Sequence, residues 1–504
     1  MPKKRGGKRG GGQAGGKLHV YVYACVAVAT VAVAGPFIMN ALFPAREHAW
    51  GAAFAHPKAR LRELAEEERQ LFGERGSAVG SDAHNDWCTK NSVLGYKLRE
   101  AGNGDEGTSV WQASVAGACD HSMYNLATLY RLQGLDKKLR RPLGEAVALF
   151  RRAMDLSRAP DSTTLLRSDS YKQASIVSLR FAADQLEHLV GLKLLPLQYL
   201  NEVSEYRRII SLIPPNDPRG ALTINLRPED AAKIPSYRRA VFIDDKPRVQ
   251  GGALAARSAV DIADIQRRYH EDGVVYIDGV LAESTLQSLY EFGTRSTMYF
   301  VDKASGYVGA YIEEGFNTPL LMQVSEEFRT MFPSIFAESP LQMSWAYNYD
   351  DHSESGIHMH GDNFAVNCNL WVTPDEANLD KESGGLVVWT VPAPLDWDFD
   401  EFNTKMGNEK MAKLVEDAER IVIPYKQNRM VLFKSDLLHA TDTFKFKKGF
   451  ENRRINFTFL YGERGQGEDE LSIKQRTQRS RERGQLAQKT DQDRLNEIKV
   501  GASE

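Results

Sequence analysis

Residues 352–364 read HSESGIHMHGDNF, and the spacing inside this run decides how the fold is read. Three of the 11 histidines in the chain, His352, His358 and His360, lie within it. On an extended strand residues i and i+2 share a face, so His360 and Asp362 point to one side. Downstream, after the strand-like RMVLFK, the stretch SDLLHATDTF carries His439. Two imidazoles and one carboxylate brought together would hold one face of a metal ion, with three adjacent positions open for a bidentate co-substrate and dioxygen. His358 falls on the same alternation, so a His358/His360/His439 set, better suited to zinc or copper, is a second reading of the same residues.

The surrounding sequence has β character. From Leu341 onward MSWAYNYD, NFAVNCNLWV, GGLVVWTV, ERIVIPY, RMVLFK and RINFTFLYG are short apolar runs separated by turns, which indicates a sandwich or barrel. GVVYID at 273–278 reads as a strand and LAESTLQSLYEFG after it as a helix. Fifteen residues beyond His439, Arg454 opens the strand RINFTF. A guanidinium there could grip a carboxylate through two parallel charge-assisted hydrogen bonds. Tyr347 and Tyr349 share one face of the strand before the histidines, as candidate co-substrate donors or as ordinary aromatic core.

In order, His360-Gly361-Asp362, the turn Ser383-Gly384-Gly385 before Leu386-Val387, His439, and Arg454-x-Asn456 resemble the 2-oxoglutarate/Fe(II)-dependent dioxygenase superfamily, and within it the prolyl-4-hydroxylase-like members. The resemblance covers roughly residues 265–464. It implies a double-stranded β-helix (jelly-roll or cupin-like) domain over 256–464, with Fe(II) held by His360, Asp362 and His439. It further implies 2-oxoglutarate paired at its C5 carboxylate with Arg454 and contacted by Asn456, Tyr347 and Tyr349, dioxygen as oxidant, and ascorbate as reductant. Collagen-type prolyl hydroxylases place a lysine nearer the distal histidine. Here Lys447 and Lys448 lie in a loop, and strand position favours Arg454. Asp362 itself argues against halogenation, because halogenases of this superfamily carry a small residue at that position. The implied reaction is oxidative decarboxylation of 2-oxoglutarate to succinate and CO2 coupled to hydroxylation of a substrate, expected to be a protein side chain such as proline. An oxygenase of a small metabolite or lipid, and a membrane-tethered helical adaptor with a non-catalytic barrel, are the alternatives.

The N-terminal part is different in kind. Residues 1–17 hold six basic and no acidic side chains, and from Leu18 to Ala45 there is no Lys, Arg, Asp or Glu. A run of that length can cross a bilayer as one helix, with the basic tail left cytosolic and the body lumenal. The expectation is a single-pass type II anchor at 18–43 in the endoplasmic reticulum or Golgi. Cleavage after Ala32-Val33-Ala34, giving a secreted body, is the alternative. Residues 44–80 read as a charged stem, 81–215 as an α-helical domain, 216–255 as a linker, and 465–504 as a charged tail. In the helical domain Leu126-Ala127-x-x-Tyr130 and Ala146-x3-Phe150-x2-Ala153 resemble the helix pair of a tetratricopeptide repeat, a module suited to a protein substrate or partner.

Composition sets outer limits. Hydrophobic residues are 42% and charged residues 26% of the chain, which excludes a disordered, collagen-like or polytopic membrane protein. Net charge is −3, and the part after residue 17 carries about −9, so no basic face for nucleic acid is expected. Four cysteines without a CxxC pair argue against a structural zinc site, and Cys88 and Cys119 could pair in an oxidising lumen or remain thiols. The sequon Asn456-Phe457-Thr458 falls in the strand that begins with Arg454, where a glycan would conflict with folding.

Overall fold

The structure, a computed structural model, describes residues 82–133, 143–160, 173–213, 223–303, 306–336, 339–350, 356–403, 407–466, 468 and 470–501, all within one compact unit. The expected basic tail, anchor and stem, and His352, lie outside the described residues. Among the described residues no helix is long and apolar enough to cross a membrane.

Among the described residues four helices come first: α1 (Asp82–Glu100), α2 (Gly104–Ala116), α3 (Asp120–Gln133) and α4 (Leu143–Arg158). They pack in pairs, α1 on α2 and α3 on α4. Leu126, Ala127, Tyr130, Ala146 and Phe150, the positions of the repeat-like pattern, meet in one buried cluster with Trp111. Cys88 and Cys119 form a disulfide between α1 and the start of α3, with Cα atoms 5.2 Å apart. Cys368 is free and buried.

Strand β1 (Gln173–Ser175) leads into α5 (Ile176–Gly191), whose first turn is closed by a reciprocal Ser175–Ser178 capping box. Helix α6 (Tyr199–Ser211) packs on α5, and β2 (Thr223–Asn225) pairs with β1. The stretch read from sequence as a linker is held down here. Ile234 and Tyr237 are buried in the α5–α6 cluster, and the Tyr237 hydroxyl donates to Gln173 O at 3.3 Å. Its Pro and Gly content marks turns, while its few apolar residues bury against the helices.

The helices also dock on the β half. Phe181 of α5 lies between Tyr299 and Phe450, with ring centroids 5.1 and 5.4 Å away. Arg180 pairs with Asp350 at 2.7 Å, and Arg453 with Asp184. Arg131 of α3 meets Glu313 at 2.9 Å with both side chains under 5% exposed.

Helix α7 (Ala259–Asp272) is capped by Ser258 and ends at Gly273, whose φ of 77° turns the chain into β3 (Val274–Asp278). Helix α8 (Glu283–Arg295), β4 (Val301–Lys303), β5 (Tyr307–Tyr311) and α9 (Pro319–Met331) follow. The remaining strands are β6 (Leu341–Tyr349), β7 (Val366–Trp371), β8 (Leu386–Pro392), β9 (Arg420–Ile423), β10 (Arg429–Lys434), β11 (Leu437–Thr441) and β12 (Ile455–Tyr461). Seven strands form an antiparallel sheet in the order β3-β10-β7-β12-β6-β5-β4. Three form a second, β11-β8-β9, which an antiparallel bridge between His439 and His360 extends by one more segment. The sheets share a core that includes Val274, Tyr349, Trp371 and Val431 from the first and Val388, Ile423 and Leu437 from the second. Strands β7 and β12 are buried at every position, because both their faces are covered.

The segment between β8 and β9 includes α10 (Asn408–Val415). Its Phe402 and Met411 bury against Leu438 and half-buried Met359 on the outer side of the second sheet. The charged C-terminal segment is a helix, α11 (Glu470–Gly501), and its first half is not wholly exposed. Ser480 is buried and bonded to Thr390 of β8 at 2.8 Å.

Candidate metal centre

His360, Asp362 and His439 come together as the spacing suggests, each offering one donor atom within 4.8 Å of the others. His360 and Asp362 flank a short extended turn pinned on both sides. His360 N–H donates to His439 O at 2.9 Å, and His439 N–H returns to His360 O at 2.8 Å. Gly361 N–H donates to Phe402 O at 2.7 Å, and Asn403 Nδ2 donates to Gly361 O at 2.6 Å. The segment after β8 therefore fixes the backbone of the turn.

Ring orientation is fixed as well. His360 Nδ1 lies 2.8 Å from His358 O and His439 Nδ1 2.9 Å from Leu437 O, contacts that only a protonated Nδ1 can make as a donor. Both Nε2 atoms are then unprotonated in the neutral rings and face Asp362, at 3.9 Å for His360 and 3.5 Å for His439. Asp362 Oδ2 also accepts from Asn367 Nδ2 at 2.7 Å. Burial raises the Asp362 pKa, opposed by His360 and the Asn367 bond. Burial, with the neighbouring His360, holds His439 well below the ordinary histidine range. A buried carboxylate facing two basic nitrogens, in want of a cation to neutralise it, is a donor set that fits a divalent transition metal.

His358 is exposed and is not part of this cluster; it supplies a carbonyl to His360 rather than a ring nitrogen. The alternation that placed it beside His360 fails because residues 357–359 are irregular. His84 lies beside Cys88 and Cys119, but those sulfurs are joined to each other, which leaves no thiolate to ligate.

Arg454 is 2% exposed at the start of β12. Its Nε donates to Gly384 O at 2.8 Å and Nη2 to Gly385 O at 3.2 Å. Its guanidinium carbon lies 4.8 Å from the Tyr349 ring centroid, 5.6 Å from Phe444 and 5.9 Å from Trp371. Nη1 is buried without a hydrogen-bond partner among the described residues. Burial pulls the guanidinium pKa down, opposed by Tyr349 and Tyr425. The glycine pair is required by space: a Cβ on Gly385 would sit 1.8 Å from Ile423 O, and Gly384 has φ +86°. Lys447 and Lys448 are exposed.

Strand register ties the two parts together. Gly385 precedes Leu386, which pairs with Thr441 of β11, two residues beyond His439. Thr441 Oγ1 is 3.4 Å from the Tyr349 hydroxyl, and Tyr349 lies under Arg454. The tyrosines thus divide. Tyr349 belongs to the arginine pocket, whereas the Tyr347 hydroxyl meets that of Tyr311 at 3.3 Å. Asn456 donates to Asn369 Oδ1 at 2.8 Å and is 5% exposed, so the sequon is sealed inside the sheet. Thr441, Phe444, Asn367 and Asn369 were not singled out by sequence. The two asparagines had a signal, polar residues at i and i+2 in a strand buried throughout.

No family model and no curated protein matches the chain. Similar solved structures include an oxidoreductase of the 2OG-Fe(II) oxygenase family from Burkholderia pseudomallei, at 11% identity and TM-score 0.28, covering 42% of this chain and 95% of that one. A prolyl-4-hydroxylase from Pseudomonas putida is similar at 11% identity and TM-score 0.27, over 40% of this chain and 100% of that one. The α-ketoglutarate-dependent carbocyclase SnoK of nogalamycin biosynthesis is similar at 13% identity and TM-score 0.29, over 42% and 86%.

Proposed function

We propose that the chain is an Fe(II)- and 2-oxoglutarate-dependent oxygenase that hydroxylates its substrate. The observation that carries this is the pairing of a His-Asp-His donor set with a buried guanidinium whose Nη1 lacks a partner. The two opposing sheets, four segments facing the central strands of seven, suit a double-stranded β-helix.

His360, Asp362 and His439 would hold the iron. Bound there with 2-oxoglutarate, it supplies the means to activate dioxygen. Arg454 binds the distal carboxylate of the co-substrate, since Nη1 can donate without giving up the glycine carbonyls that orient the fork. At about 3.3 Å rise per strand residue, Thr441 lies about 6.6 Å along β11 from His439, a span that a five-carbon diacid can bridge. Tyr349 and Thr441 line that path and Trp371 and Phe444 keep water from it. Unloaded, the pocket leaves a guanidinium atom and a carboxylate without neutralising ligands, which favours uptake of the metal and the diacid together.

We further read residues 18–43 as a type II anchor with the body in the endoplasmic reticulum or Golgi lumen. The Cys88–Cys119 disulfide supports an oxidising compartment. The helix pair α3–α4, docked beside the barrel, favours a protein substrate such as a prolyl side chain over a small metabolite. Metal analysis tests the site. Wild-type chain should retain Fe(II), and His360→Ala and Asp362→Ala should lose it. Equal iron in all three would remove the ligand assignment.

A further inference from the structure

Behind Asp362 runs a line of buried side-chain amides that no metal site of two histidines and one carboxylate requires. Asn367 and Asn369 lie on β7, and Asn456 and Thr458 on β12, with Thr458 opposite Asn369 in the ladder. Asn456 Nδ2 donates to Asn369 Oδ1 at 2.8 Å, and Thr458 Oγ1 donates to the same oxygen at 3.3 Å. Asn369 Nδ2 donates to Asn367 Oδ1 at 2.7 Å, and Asn367 Nδ2 donates to Asp362 Oδ2 at 2.7 Å. Asn367 is 0% and Asn369 6% exposed.

The order of donors and acceptors is set by the network. Asn369 Oδ1 receives two donors from β12, so its NH2 must face Asn367, and the Asn367 oxygen is thereby taken. Only the Asn367 NH2 remains to face Asp362. In isolation an asparagine amide can rotate end for end; here a reversed Asn367 would set oxygen against oxygen at Asp362 and NH2 against NH2 at Asn369.

We infer that Asn367, oriented by Asn369, is a positioning residue: by holding Oδ2 of Asp362, the oxygen 3.5 Å from His439 Nε2, it fixes the carboxylate in the rotation that turns its oxygens toward both histidines. This deepens the oxygenase reading and rests on it. Partners that orient a ligand in this way typically alter metal affinity by about 10–100-fold when removed.

The test is titration of the metal-free full chain, purified in detergent, with Co(II) in place of ferrous iron, following the dissociation constant and the cobalt ligand-field spectrum. Two variants are compared with wild type: Asn367→Ala and Asn369→Asp. Asn367→Ala should raise the constant by about 10–100-fold and change the spectrum as the carboxylate loses its fixed rotation. Asn369→Asp removes the NH2 that faces Asn367, so Asn367 turns to serve it. It should weaken binding although Asp362 and its direct neighbour are intact. Thermal melting of the metal-free variants controls for folding, and a purely packing role would lower melting while leaving constant and spectrum unchanged. Wild-type constants and spectra in folded Asn367→Ala and Asn369→Asp would overturn the inference. Failure of the wild type to bind Co(II) at all would instead overturn the metal-centre reading beneath it.

Discussion

Replacing Arg454 with Gln should separate loss of co-substrate binding from loss of metal. The structure sets two magnitudes. Nε and Nη2 each hold a buried glycine carbonyl, and a glutamine amide cannot reach both. Leaving one or both carbonyls unpaired costs about 1–3 kcal/mol each, so the variant should melt lower than wild type. The free Nη1 acts on the ligand instead. Leaving a buried carboxylate without its cation costs about 2–5 kcal/mol. At about 1.4 kcal/mol per tenfold, the constant for 2-oxoglutarate should rise roughly 30-fold to several thousandfold. The assay is equilibrium dialysis of 2-oxoglutarate against the Fe(II)-loaded full chain without oxygen, at a temperature where the variant is folded. Iron content should match wild type, because Arg454 is not a ligand. Lys447→Ala and Lys448→Ala, which remove exposed charges, should titrate normally. An Arg454→Gln variant that binds 2-oxoglutarate like wild type, beside a lysine variant that does not, would refute the assignment of the arginine.

Other consequences are as direct. Metal affinity should fall on acidification through the raised pKa of Asp362, since protonation there removes a ligand, while the depressed His439 stays neutral to lower pH; a Co(II) constant that does not change on acidification would contradict this. Arg131→Ala should destabilise the fold by about 3–5 kcal/mol, measured in denaturant, by stranding buried Glu313. Reduction of the Cys88–Cys119 bridge, which closes a loop of 31 residues, should cost about 3–4 kcal/mol of stability by the chain-entropy model, and alkylation mass analysis should show both sulfurs blocked before reduction. On microsomes, residues 50–504 should be protected from protease and stay with the membrane after alkaline wash; release to the soluble fraction would mean cleavage after Ala34.

The gathering of His360, Asp362 and His439 was legible because an extended His-x-Asp turn and a distal histidine, in that chain order, come from few other arrangements. The alternative set with His358 fails because alternation assumes a regular strand, and the backbone at 357–359 is irregular. The Arg454 pocket was half visible. Its position at a strand start could be read, but the carbonyls that hold it come from Gly384 and Gly385, and only a folded sheet shows that Ile423 O excludes a side chain there. The docking of helices on the sheets was hidden because ion pairs such as Arg131–Glu313 join residues 182 apart. Local pattern is blind to contacts of that range. The stretch 216–255 read as a linker for its turn residues, while what anchors it, Ile234 and Tyr237, is too sparse to form a period.

The account is tested most directly by succinate formation. Full chain supplied with Fe(II), 2-oxoglutarate and dioxygen, with a panel of prolyl peptides and small metabolites, should release succinate. Asp362→Ala should abolish that release, and a matching substrate should increase it. Succinate no higher in the metal-loaded wild type than in Asp362→Ala, across the panel and in its absence, would contradict the oxygenase reading.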